Sequence, residues 1–74
     1  MENIKTSING IDYIKIDLLV NRLNSDKEQA KAEKYDCIQV GVKQVNDKYR
    51  FIIYTILVPE KNLVAYNGDK MEQT

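Results

Sequence analysis

The chain has 74 residues, 11 Lys+Arg against 11 Asp+Glu, one cysteine and no histidine. That length allows one domain, and the balanced charge lacks the net basic surface on which phosphate-backbone binding depends. A single Cys37 excludes an intramolecular disulfide framework. Without imidazole there is no Ser-His or Cys-His pair and no ordinary structural zinc set. No metal, no cofactor and no enzymatic activity are expected.

The longest apolar run, Phe51 to Val58, is eight residues, against about 20 needed to cross a bilayer. The first residues, Met1 to Thr6, lack the charged-then-apolar layout of a signal peptide. A cytoplasmic protein without membrane contact is the expectation. Ile, Val, Leu and Phe together make 21 of the 74 residues, above the level of a disordered chain.

In chain order, Asn9-Gly10 is a turn signal. Ile14, Ile16, Leu18 and Val20 then alternate with Lys15, Asp17, Leu19 and Asn21, the pattern of a strand. Ile11, Ile14 and Leu18, with Leu19 and Leu23, also fit one side of a helix. The β-branched residues Ile11, Ile14, Ile16 and Val20 favour the strand. Residues 24–35 read as a helix, with Ser25 and Glu28 spaced as a capping box and Asp26 and Glu28 acidic in the first turn. Ala30, Ala32 and Tyr35 make a thin apolar stripe, so this helix is expected to lie mostly in water or to fray.

Residues 37–45 alternate, with Ile38, Val40 and Val42 on one face and Cys37, Gln39, Gly41 and Lys43 on the other. Residues 49–58 are almost wholly β-branched or aromatic and end at Pro59, which predicts a strand apolar on both faces. Asn46-Asp47-Lys48 between them is a turn-forming cluster, and a central β-hairpin over 37–58 follows. With Val42 opposite Phe51, Val40 faces Ile53 and Ile38 faces Thr55, giving one apolar face for the core. Leu63 to Tyr66 predicts a short fourth strand, and 67–74 a loose tail. The expected fold is a single α+β domain over 1–74, a small mainly antiparallel sheet in the order β-α-β-β-β with one helix.

The reverse face of that hairpin carries Ile52, Tyr54 and Ile56, for which the helix offers too little cover. Such a face marks an interface, with Ile52, Tyr54 and Ile56 as apolar anchors and Lys43 and Arg50 at the polar rim. The expected function is therefore binding of another protein, or self-association as a homo-oligomer. Size and a lysine-rich composition, nine Lys to two Arg, suggest a phage or mobile-element inhibitor or adaptor. The alternative is a nucleic-acid or nucleotide binder using Tyr49, Tyr54, Lys48 and Arg50. Carboxylate-pair catalysis is disfavoured, since Asp12 and Asp17 would face opposite sides of a strand. Cys37, beside Asp36, reads as a small buried hydrophobe.

Overall fold

The computed structural model describes residues 5–46, 48 and 50–72. Four strands, β1 (Lys5–Ile8), β2 (Ile11–Asn21), β3 (Ile38–Asn46) and β4 (Phe51–Pro59), form one curled antiparallel sheet in the spatial order β1-β2-β4-β3. Two helices, α1 (Ser25–Lys34) and α2 (Leu63–Glu72), follow β2 and β4, each after a 3-10 turn. The chain order is thus β-β-α-β-β-α. The α+β class and the antiparallel sheet agree with the sequence reading, while a first strand and a second helix were not foreseen.

β1 has no apolar alternation of its own. It forms because Asn9 and Gly10 both take positive φ, 52° and 80°, which is the two-residue hairpin turn whose twist matches its strands. That turn sets Ile8 against Ile11 and Lys5 against Ile14. Segment 11–21 is the strand its β-branching favoured.

β2 and β4 are the centre of the sheet. Their register places Ile14 with Val58, Ile16 with Ile56, Leu18 with Tyr54 and Val20 with Ile52. All eight side chains lie on one face, and both helices pack there. The core is Leu18, Val20, Tyr54, Ile56, Val58 and Tyr66, with Ile16, Tyr35, Cys37, Ile52 and Leu63 against it. Val58 and Tyr66 are fully buried, and each such side chain contributes about 1.5–3 kcal/mol through burial.

The hairpin 37–58 forms in a different register from the expected one. Val42 lies opposite Tyr54, Gly41 opposite Thr55 and Lys43 opposite Ile53. Irregularities between Gln39 and Gly41 and between Gln44 and Asn46 leave Val40 and Val45 as extra residues on β3. Because strand side chains alternate, the shift turns the opposite face of β4 inward. Of the expected turn, Asp47 lies outside the described residues.

α1 begins after Asn24, which makes no side-chain cap. The expected capping box is not formed; the Ser25 hydroxyl donates instead to the Arg22 carbonyl. Its C-terminus is closed by Cys37 N–H donating to the Ala32 carbonyl (2.8 Å) and Asp36 N–H to that of Glu33 (3.2 Å). Asp36 has φ 60°, the left-handed residue this helix-ending motif requires.

Residues 63–72 form α2, not a fourth strand with a loose tail; residues 73–74 lie outside the described set. As a helix, Leu63 and Tyr66 are three apart on one side and reach the core, leaving Val64 at 85% exposure.

Candidate functional site

The sheet face opposite the core cluster takes the odd-numbered residues of β2 and β4; it is buried at its Tyr13, Leu57 and Pro59 end and opens toward Leu19. Leu19 pairs there with Ile53, Asn21 with Phe51, and Asp17 with Thr55. Leu19 is 63% exposed, and Phe51 and Ile53 are half-buried. Lys43 of β3 completes the row Leu19–Ile53–Lys43. Arg50, exposed and with φ 59°, stands immediately before Phe51, and its carbonyl accepts from Arg22 N–H (2.9 Å). The one carboxylate of this row and the next, Asp17, accepts the Thr55 hydroxyl at 2.8 Å. The result is an apolar trio with cations beside it.

The expected anchors lie elsewhere. Tyr54 and Ile56 are 7% and 3% exposed, inside the core, and Ile52 packs partly buried against it. Their cover comes from both helices: Tyr66 and Leu63 of α2, which the sequence reading took for a strand, join their cluster, and Gln29 of α1 donates to the Tyr54 hydroxyl. Lys43 and Arg50 remain exposed, next to Ile53 and Phe51 instead. Of the alternative set, Tyr54 is buried, Lys48 and Arg50 are exposed in the turn, and Tyr49 lies outside the described residues.

No family model, curated protein or solved structure matches this chain. The site must therefore be read from its own geometry.

On the helix side, a cleft of about 190 Å³ opens between α1 and the start of β3. Gln29 Nε2 donates to the Tyr54 hydroxyl across it, at 3.4 Å. Cys37 lines it, and burial first, then the charge of Asp36, pushes its thiol up to about 11. A thiol so held is neutral and a poor nucleophile near neutral pH. Beyond the cleft, α1 meets α2. Tyr35 and Tyr66 pack edge to face at 5.9 Å between centroids, the Tyr35 hydroxyl donates to Asp69, and Lys34 Nζ lies 3.5 Å from the same carboxylate. The Tyr35 hydrogen bond is the main cause holding Asp69 below the usual carboxylate range.

Among the described residues no three His, Cys, Asp or Glu side chains converge to hold a metal ion, and no helix is long and apolar enough to cross a membrane. Leu19, Phe51 and Ile53 are the surface residues that sequence reasoning missed. The signal for them was present in β2, where Lys15, Asp17 and Asn21 alternate with the core residues and so mark which face is wet.

Proposed function

We propose that this chain acts by contact and not by catalysis, docking another protein on the sheet face opposite its core cluster. The observation that carries the reading is Leu19, 63% exposed beside Ile53 on the face opposite the core cluster. Exposed apolar residues grouped on one face, with polar groups around them, are the layout of a binding surface. Leu19, Phe51 and Ile53 serve as anchors, and Lys43 and Arg50 select an acidic partner surface. A second copy is the poorer fit, because it would bring Lys43 and Arg50 against like charge, with Asp17 already engaged by Thr55. An inhibitor or adaptor role fits a face that works only by occupying or holding another surface.

The test is affinity capture from the native host, with mass spectrometry, using the wild type, Leu19→Asp and Lys43→Glu, alongside light scattering. The reading expects a monomer and an acidic protein captured by the wild type and lost with either variant. Capture unaffected by Leu19→Asp would overturn it. A dimer that Leu19→Asp dissolves would make a second copy the occupant in place of an acidic partner.

A further inference from the structure

The cleft between α1 and β3 lies on the helix face, away from Leu19 and Ile53. At about 190 Å³ it is smaller than the roughly 300–1,000 Å³ of drug-sized and cofactor pockets. It has room for one side chain. Its floor is apolar, built from Leu18, Ile56 and Tyr54 of the sheet with Ala32 of α1, and its walls carry Glu28, Glu33 and the Gln39 amide.

α1 sorts its charges around its axis. Lys27, Lys31 and Lys34 stand at i, i+4 and i+7 on one flank. Of these, Lys31 and Lys34 are turned to Tyr66, Tyr35 and Asp69. Glu28 with Ala32, and Gln29 with Glu33, are i, i+4 pairs on the flank that lines the cleft. Neither Glu28 nor Glu33 forms an ion pair within the described residues. Asp36, exposed beside Cys37 at the end of α1, adds a further negative charge near the cleft.

Two unpaired carboxylates above an apolar floor suit a long aliphatic stem that ends in a cation. Such side chains lay their methylenes along apolar surface and keep the charged head at a polar rim. We propose that this cleft is a receptor for one lysine or arginine side chain presented by a partner protein. The stem lies against the half-buried Ala32 and Cys37 at the mouth of the cleft, and the cation sits between Glu28 and Glu33. This site is separate from the sheet-face reading and opposite to it in charge. A chain carrying both can join an acidic surface on one side to a basic segment on the other.

The test is an amide-shift NMR titration of the intact chain with N-acetyl-lysine methylamide and N-acetyl-arginine methylamide, with N-acetyl-norleucine methylamide as the uncharged stem. The basic amides are expected to shift Ala32, Cys37 and Gln39 with a Kd of about 1 mM, as befits so few atoms. Norleucine should bind at least about tenfold more weakly, and added salt should weaken the basic amides. The double variant Glu28→Gln/Glu33→Gln, altered outside the core, should lose about tenfold. Ala32→Leu, which fills the cleft and leaves the charges, should lose binding too. These amides are too small to report on the sheet face, so Leu19→Asp should leave them bound, and failure of either site is read separately. Equal binding of norleucine, unchanged binding by the double variant, or no shift up to about 50 mM amide would overturn the proposal.

Discussion

The Lys31 ammonium lies 4.5 Å from the centroid of the Tyr66 ring, and among the described residues neither Lys31 Nζ nor the Tyr66 hydroxyl has a hydrogen-bond partner. Lys31 is the buried residue of α1, so a helix with almost no apolar stripe is held to the core by a lysine stem and a cation–π contact. Such a contact contributes about 0.5–2 kcal/mol. The buried, unpaired hydroxyl works against it.

That opposition makes Tyr66→Phe informative. Phenylalanine keeps the ring under Lys31 and the edge contact with Tyr35 while removing an unsatisfied hydroxyl, whose burial costs about 1–3 kcal/mol. The variant is expected to be more stable by about 1 kcal/mol, which raises Tm by roughly 4–8 °C in a domain of this size. Burial also raises the Tyr66 hydroxyl above its ordinary value near 10. The hydroxyl stays neutral in the fold below about pH 10, and ionising it in its buried site lowers stability as pH rises further. Tyr66→Phe should blunt alkaline unfolding, as followed by circular dichroism.

At the acid end, Asp69 and Asp12 are both held below the usual carboxylate range, Asp69 by Tyr35 and Asp12 by the Ser7 hydroxyl first and then Lys5. A lowered folded value means that the contribution is complete above the unfolded value near 3.8 and is lost as pH falls through the folded one. Melting curves from about pH 7 down to about pH 2 should show Asp69→Asn less stable at neutral pH and flatter in its acid loss.

Asp36 takes a left-handed conformation at the end of α1, where a side chain other than glycine costs about 1–2 kcal/mol. Asp36→Gly should therefore stabilise, by about 0.5–1 kcal/mol once glycine's larger unfolded-state entropy is subtracted. Gly10→Ala should do the reverse, since φ is +80° there and alanine gains the strain that Asp36→Gly relieves. Urea denaturation of both variants measures the pair.

The two sheet faces respond differently to substitution. Ile56→Ala, deep in the core, should cost about 2–5 kcal/mol. Leu19→Asp, mostly in water, should leave stability within about 0.5 kcal/mol while abolishing partner capture. A large loss of stability from Leu19→Asp would show that the face opposite the core cluster is already covered there.

The division between those faces explains what was legible. β4 is apolar on both sides, so its own residues name no inward face, and β3 with two extra valines admits more than one register. A single step in that register exchanges Ile52, Tyr54 and Ile56 for Phe51 and Ile53. The tie is broken by β2, whose Lys15, Asp17 and Asn21 would be costly to bury. That decision belongs to a partner strand some 38 residues away, as with Asp17 and Thr55, and local pattern does not contain it.

Composition, alternation and turn chemistry pointed to the α+β class, strands at 37–45 and 49–58, a helix at 24–35 and a turn at Asn9-Gly10, and favoured a strand over a helix for 11–23. They also placed Lys43 and Arg50 at the surface. The structure sets the bounds at 38–46, 51–59, 25–34 and 11–21. Tertiary structure alone decided that Leu63 to Tyr66 is helical, because helical spacing turns Leu63 and Tyr66 to one side, where both reach the core. Together with α1, that helix covers Tyr54 and Ile56, which leaves the exposed apolar residues on the opposite side of the same strand.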